Sequence, residues 1–433
     1  MHIRPFEIAL IAFFALAAIG GLTCLKICNV GGSREVNPYG QSVTIWGTLD
    51  QGVMDSILGT LSKENKSLKV VSYKEIEERS FESTLVNAIA EGRSPDMIIL
   101  PHDLLVSYRT KLEPISFEMM PVRNFRDTYI DGAEIFMLSD GTYGIPFAVD
   151  PLVMYWNRDI FSSGGLAQPP KTWETLRSQT VKTLVRTNDA LAITQSAVAF
   201  GEYVNVNHAK DILAMLFLQA GNDIVAENDG EYSVTLAKGS QETISAGDAA
   251  LTFYTGFALA TKELYSWNRS KNLDRKEFLN GTLALYFGKG SEKDSLEREN
   301  ANLNFDVAPV PQSSGATVVR DYGDFYAFSI PRAAQNGQGA YAVAQYLGST
   351  AVSQIIADAY GFAPVQRSQY AVENTDPFKS IIYSSALISR GWLDPSPRES
   401  GEIFKNMIEG VTSGRSRMKS VIMDGVYGLE SLF

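Results

Sequence analysis

Three aspartates stand where an apolar run stops or is interrupted. Asp50 follows Ile45-Trp46-Gly47, Asp103 follows Ile98-Ile99-Leu100-Pro101, and Asp150 lies inside Phe147-Ala148-Val149-Asp150-Pro151-Leu152. A carboxylate so placed has three uses. It can accept hydrogen bonds from a ligand, each worth roughly 1.5–3 kcal/mol when the acceptor is charged. It can cap a helix or satisfy the chain around it. It can pair with a second carboxyl about 5–9.5 Å away for acid–base hydrolysis of a glycoside. Asp50 and Asp103 read either as ligand contacts or as cap and loop residues. Asp150 reads either as a ligand contact or as a carboxylate with a structural partner, because an unpaired charge in an apolar run is costly. Gln51 adds an amide beside Asp50. Trp46, Tyr286, Tyr322, Phe325 and Tyr326 are candidate aromatic platforms, with Trp46 equally a core residue. His102 reads as a turn-stabilising residue and Trp173 as core. The hydrolytic use has no support from a Gly-x-Ser-x-Gly, His-Glu-x-x-His or phosphate-loop motif.

The elements that must position these residues alternate. Residues 42–47 are a β-type run, 53–61 have helical spacing, 68–73 are a strand candidate, 81–91 are helical, and 96–100 form a short apolar strand. Such β-α-β-α-β alternation predicts a parallel sheet covered by helices. Ligands of such sheets sit beyond the strand C-termini, which singles out residues 48–51 and 101–104. A second set follows: a β-rich stretch over 190–205, helices over 208–220 and 246–264, strands over 283–287, 305–311 and 324–330, and helices over 338–347, 351–359 and 404–411. Thr172 is placed to cap the helix opened by Pro-Pro-Lys-Thr-Trp-Glu, and the charged run 291–300 reads as a solvated helix face.

Composition narrows the function classes. A chain of 433 residues exceeds one ordinary core, and 45% hydrophobic residues are enough to build more than one. The net charge of −11 argues against nucleic acid as a partner, since phosphate binding needs a basic face. Both cysteines, Cys24 and Cys28, fall in the first 30 residues, so the body has neither a disulfide framework nor a Cys-based zinc site. The three histidines, His2, His102 and His208, are far apart in sequence, and no cofactor motif is present.

Residues 8–25 are uncharged and apolar, between Arg4 and Lys26, and long enough to cross a bilayer. Three readings stay open: a retained anchor, a signal peptide cleaved near Ala18-Ile19-Gly20, and a lipid-modified Cys24 or Cys28. Residues 29–42, with Gly-Gly-Ser, Asn-Pro and Tyr-Gly, read as a flexible linker with a reach of about 20 Å.

The run Tyr143-Gly-Ile-Pro-Phe-Ala-Val-Asp-Pro-Leu-Val-Met-Tyr-Trp-Asn-Arg-Asp-Ile-Phe161 resembles the lobe-crossing segment of the extracellular solute-binding proteins of ABC importers. The likeness is to their sugar-binding group, which includes the maltose-binding protein. It extends over about residues 43–425. Ile45-Trp46-Gly47-Thr48-Leu49-Asp50-Gln51-Gly52 resembles the first strand and ligand loop, Pro101-His102-Asp103 a family His-Asp pair, and Phe278-Leu279-Asn280-Gly281-Thr282-Leu283-Ala284-Leu285 a second-lobe strand. Phe305-Asp306-Val307-Ala308-Pro309-Val310-Pro311 and Tyr322-Gly323-Asp324-Phe325-Tyr326-Ala327 resemble the second crossing, and Ala359-Tyr360-Gly361-Phe362-Ala363-Pro364 precedes a third. Two departures stand out: Gly288-Lys289-Gly290-Ser291 replaces a stacking Trp, and Gly401-Glu402-Ile403 stands where another stacking Trp is found, with Trp392 nearby.

The resemblance implies an α/β, two-lobed, periplasmic-binding-protein-like fold, each lobe a mainly parallel sheet flanked by helices, with three hinge crossings. It implies a membrane segment over 1–28, a linker over 29–42, an N-lobe of 43–147 plus about 324–376, and a C-lobe of 148–323 plus about 377–433. The implied function is capture of a small solute, a saccharide, in the interlobe cleft outside the membrane and delivery to the transmembrane subunits of an ABC permease. The protein would be a monomer and no enzyme, tethered through residues 8–25. Trp46, Asp50, Gln51, Asp103, Asp150, Tyr286, Tyr322, Asp324, Phe325 and Tyr326 are the expected ligand contacts. The alternatives are a sensing or adhesion module that presents its liganded state to a partner protein, and an extracytoplasmic glycosidase.

Overall fold

The computed structural model describes residues 37–433 except 41, 191, 222, 238–244 and 372–373. The apolar segment 8–25, both cysteines and linker residues 29–36 lie outside the described residues. Within the rest of that stretch, Asn37 to Gly40 form a turn against the body. Tyr39 is buried, and its carbonyl accepts a hydrogen bond from Asn336 Nδ2 at 2.7 Å.

The first strand, β1 (Val43–Gly47), alternates buried and half-buried residues, the signature of a sheet covered on one face. Helix α1 (Gln51–Glu64) follows, its first turn capped by Asp50, whose Oδ1 accepts from Val53 N at 2.9 Å. The strand expected from residue 68 begins later, as β2 (Val71–Glu75). Asn65 accepts from Ser67 N at 3.1 Å and winds 66–70 into a 3₁₀ turn, so pairing starts only at Val71 opposite Val43. Helix α2 (Glu78–Ala90) leads to β3 (Met97–Pro101). β1 lies between β2 and β3, parallel to both.

The next strand, β4 (Ile145–Asn157), has 13 residues, all buried, and changes partners midway. Residues 145–151 pair with β8 (Asp321–Ser329), whose other side pairs with β3. The second half pairs with β6 (Leu283–Lys289) and β7 (Phe305–Ala308), and β6 continues to β5 (Ile193–Val198). One continuous path, β2-β1-β3-β8-β4-β6-β5, thus runs through both halves of the molecule. Each half keeps parallel neighbours, and the strands that cross between halves are antiparallel, so the sheet is mixed. Short strand 363–364 also pairs with β4, a third passage of the chain beside the same seam.

Helices α3 (Ala209–Gln219) and α4 (Ala246–Gly256) cover the second half. α4 ends eight residues before 264, the end the sequence predicts. Ser266 N and Trp267 N both donate to Phe257 O, at 2.9 and 3.1 Å, and turn the chain so that Trp267 enters the core. α5 (Gly337–Leu347) and α6 (Thr350–Tyr360) pack on the first half around Met54, Leu58, Phe147 and Phe328. α7 (Pro377–Ile388), α8 (Pro397–Thr412) and α9 (Met418–Glu430) complete the chain. α9 went unread in the sequence. It buries Val421, Ile422, Gly425, Val426 and Leu429, and Gly425 is the point of closest approach because a Cβ there would lie 2.6 Å from Met407 Sδ. Thr172 does cap its helix, accepting from Thr175 N at 3.2 Å.

Candidate functional site

β3 ends at Pro101, and the turn that follows is held by His102. Its Nδ1 accepts from Phe325 N at 3.3 Å, and its ring stands edge-on to Tyr322 and Phe325, 5.8 and 6.2 Å away. Burial pushes the His102 imidazole down to about 4, so the ring is neutral at ordinary pH. This lock fixes Asp103 in the seam between the halves. Asp103 Oδ1 is buried and has no hydrogen-bond partner among the described residues. Burial, then the Asp324 charge, push its carboxyl up to about 7, with Lys210 opposing and Asp394 and Asp211 adding to the rise.

The facing wall is built from the end of β6 and the start of α3. Lys289 Nζ lies 3.0 Å from Asp211 Oδ2 and 2.7 Å from Asp324 Oδ2, and 4.5 Å from the centre of the Tyr322 ring. The turn after β6 carries Glu292. One of its oxygens accepts from Lys289 N at 2.8 Å and meets His208 Nε2 at 2.7 Å; the other accepts from Tyr286 Oη at 2.6 Å. Burial alone would lower the His208 pKa, but hydrogen bonds to Asp211 and Glu292 outweigh it and carry it up to about 10. Burial would raise Glu292, but the His208 hydrogen bond and charge bring it down to about 2. Burial likewise opposes ionisation of Lys289 and Asp211, and their mutual attraction overrides it, keeping both charged. Next to them Lys210 Nζ meets the buried Asp394, donates to Pro397 O at 3.1 Å, and lies over the Trp392 ring. A cavity of about 400 Å³ opens on this wall, lined by Tyr203, His208, Lys210, Asp211, Leu273 and Glu402 among others.

The expected site residues divide. Asp103, Asp150, Tyr322, Asp324 and Tyr326 come together at the seam. Asp150 and Asp324 are register partners on β4 and β8, and the Tyr326 hydroxyl senses Asp324, Asp150 and Asp103. Asp150 is buried and accepts from Ser291 N and Oγ, at 3.1 and 2.6 Å. Burial still pushes its carboxyl up to about 7, against the Ser291 hydrogen bond. Asp50 and Gln51 lie apart at the exposed start of α1. There Asp50 is a cap, and Gln51 bonds Glu75 and Asp55. Trp46 is half-buried under Lys74, 4.9 Å from its ring. Tyr286 and Phe325 are fully buried side chains of the core. Trp392 is buried too, stacked on Phe404 at 5.7 Å.

Sequence reasoning missed His208, Lys210, Asp211, Lys289, Glu292 and Tyr203. Lys289 carried the same signal as Asp103, a charge at the end of an apolar run, here Leu-Ala-Leu-Tyr-Phe-Gly. His208 and Asp211 carried a weaker one, an i, i+3 pair opening an apolar helix. Among the described residues no group of His, Cys, Asp and Glu is arranged to hold a metal ion, and no helix is long and apolar enough to cross a membrane.

No family model matches the chain. Proteins of Brucella abortus and Brucella suis, each assigned as a binding protein without a stated ligand, are 22% identical over 356 residues, covering 78% of this chain and 80% of theirs. Among solved structures, a cyclo/maltodextrin-binding protein in complex with maltotetraose superposes with a TM-score of 0.72 at 17% identity, over 90% of this chain and 97% of that one. The sugar-binding protein MalE of Xanthomonas citri gives a TM-score of 0.70 at 16% identity, over 90% and 97%. An ABC transporter solute-binding protein of Thermotoga lettingae with α-D-tagatose gives 0.67 at 19%, over 91% and 100%. The chain therefore has the two-lobed α/β fold of these binding proteins, with its polar seam at the junction of the lobes.

Proposed function

We propose that this protein captures a small, hydroxyl-rich solute, a saccharide, in the cleft between its lobes, outside the cytoplasm, and delivers it to an ABC permease. The observation that carries this reading is the buried Asp103 oxygen. It has no partner among the described residues, it belongs to one lobe, and it faces the charged wall of the other. A buried acceptor left unsatisfied costs about 1–3 kcal/mol, and a ligand hydroxyl removes that cost. Asp324, Tyr326 and Tyr203 complete the proposed contacts from the crossing strand and the second lobe. Asp50, Gln51 and Trp46 are proposed to join when a longer ligand reaches the start of α1. The likeness in fold to sugar-binding structures supports the same reading.

In this reading the lobes are 43–147 plus about 324–376 and 148–323 plus about 377–433, they move about the three crossings, and residues 8–25 tether the protein to the membrane. Binding without catalysis fits the state of Asp150. Its carboxylate is engaged by Ser291, so it does not offer Asp103 a free second carboxyl. Closure links affinity to lobe movement, which is what a permease would sense.

Thermal unfolding of the full chain in mild detergent, against sugars, polyols, amino acids and polyamines, tests this. A sugar at 100–1,000 times its dissociation constant stabilises by about 2.7–4.1 kcal/mol. A panel with no stabilising sugar, together with unchanged small-angle scattering, overturns the reading.

A further inference from the structure

We infer that the cleft selects a saccharide bearing a protonated amine, an amino sugar, over neutral and acidic sugars. This rests on the saccharide reading above and names the class within it.

The donors and acceptors of the seam are unbalanced. Both ammonium groups are ion-paired with carboxylates, although the buried Lys289 Nζ makes no aligned hydrogen bond among the described residues. Lys289 lies between Asp211 and Asp324 and over Tyr322, and Lys210 is held by Asp394 and Pro397 O over Trp392. His208 is taken by Glu292 and Asp211, and Lys405 at the cavity rim by Glu402 at 3.0 Å. The carboxylates are not exhausted. Asp103 Oδ1 is buried with no partner, and Asp211 and Asp324 each present only one oxygen to Lys289. Five carboxyl groups, Asp103, Asp211, Asp324, Asp394 and Glu292, face three cations, Lys289, Lys210 and His208. The missing complement is a donor that carries positive charge.

The aromatic faces point the same way. Tyr322 and Trp392 are each covered by a lysine ammonium, so neither offers a sugar ring its full face. Tyr203 is half-buried at the cavity, and no hydrogen bond or ring contact engages its side chain among the described residues. It is the open platform. In this inference a ligand stacked there meets Asp211 in the cavity lining and extends from it to Asp103 and Asp324 at the seam. A neutral sugar supplies the hydroxyls but leaves the excess negative charge enclosed. A uronate adds to it, and lobe closure strengthens that penalty by excluding water.

The experiment is isothermal titration of the full chain in mild detergent, at pH 7, with glucosamine, N-acetylglucosamine, glucose and glucuronate and with the corresponding β-linked disaccharides. N-acetylation removes the charge and keeps the ring. A charge-assisted bond exceeds a neutral one by about 1–1.5 kcal/mol, so the amine form should bind about tenfold tighter than its acetylated and hydroxyl counterparts, and glucuronate weakest. In Asp103→Asn, checked for folding by near-ultraviolet circular dichroism, the amine-to-acetyl ratio should fall toward one. Glucose or N-acetylglucosamine binding as tightly as glucosamine overturns the inference and leaves the saccharide reading standing. Binding of spermidine with no sugar bound overturns both.

Discussion

The two walls of the cleft handle charge in opposite ways. On the wall built from β6 and α3 the buried charges are ion-paired among the described residues. His208, Glu292, Asp211 and Lys289 form a chain of contacts, and each is driven toward its charged form despite burial. On the first-lobe wall Asp103 is driven toward its neutral form by the same burial, because no cation touches it. Burial is common to both walls, so the sign of the shift is set by partners alone. The first wall holds its charges in pairs, and the second leaves one carboxylate oxygen without a partner among the described residues.

The sharpest way to break this contrast is to remove the centre of the matched wall. Lys289→Met keeps most of the side-chain volume and strands Asp211 and Asp324 in a buried site. Breaking a buried pair by deleting one partner costs about 3–5 kcal/mol, and urea unfolding at pH 7 should show a loss of that order. A loss below about 1 kcal/mol would mean that the three charges are solvated and the wall is not preassembled.

Next in size is Asp103→Asn, with the opposite sign. A raised carboxyl pKa means that the folded state holds the proton more tightly than the unfolded one. The stabilisation from that proton is complete below about pH 3.8 and lost as pH rises through about 7. Amide replacement should therefore be neutral at pH 3.5 and stabilising at pH 8, by roughly 1–2 kcal/mol after allowance for water reaching the cleft. Destabilisation at pH 8 would show that Asp103 has a cationic partner within the chain.

The matched wall has two pH limbs, one with the same sign as the Asp103 step and one opposite to it. The raised His208 pKa adds stability that is full below about pH 6.5 and lost as pH rises through about 10. The lowered Glu292 pKa adds stability present above about pH 4.5 and lost as pH falls through about 2. His208→Gln should flatten the alkaline limb of the stability curve between pH 7 and 10 and leave the Asp103 decline between about pH 3.8 and 7 in place. A curve unchanged on the alkaline side would place the proton of His208 outside the Glu292 contact.

The sequence carried the scaffold well because periodicity reports burial. The alternation over 42–100 led to β1, α1, α2 and β3, and the apolar run 145–156, interrupted by Asp150, is the strand that both halves share. It carried the site only in part. Asp103 was readable as a polar residue at a strand end, and Asp324 came from the resemblance to the second crossing. Tyr286 and Phe325, offered as aromatic platforms, are side chains that the strand turns into the core. Periodicity fixes which strand a residue is on, but not which face meets the cleft once two sheets share a strand. Lys289 was read only as part of the run Gly288–Ser291 that replaces a stacking Trp. Its burial depends on Asp211 and Asp324, 78 residues before it and 35 after it, a pairing no local pattern reports. α9 was missed because Gly425 and Gly428 lower helix propensity, while their use is close packing on Met407 and Ile403.

A comparison of two tyrosine hydroxyls separates the walls most finely, and one of them carries the smallest expected effect on stability. Tyr286 Oη donates to Glu292 at 2.6 Å inside the matched network, so Tyr286→Phe removes a charge-assisted bond and should cost about 1.5–3 kcal/mol. Tyr203 Oη lies at the cavity with no hydrogen-bond partner among the described residues, and the absence of a side chain at Gly401 leaves it room, since a Cβ there would sit 3.0 Å away. Tyr203→Phe should change stability by less than about 0.5 kcal/mol and weaken sugar binding by up to about tenfold, the weight of one ligand hydrogen bond. Tyr203→Ala should weaken it further by removing the stacking face. Equal affinities for wild type, Phe and Ala would move the ligand off this wall. A large stability loss in Tyr203→Phe would place the hydroxyl inside the folded network and make both walls alike.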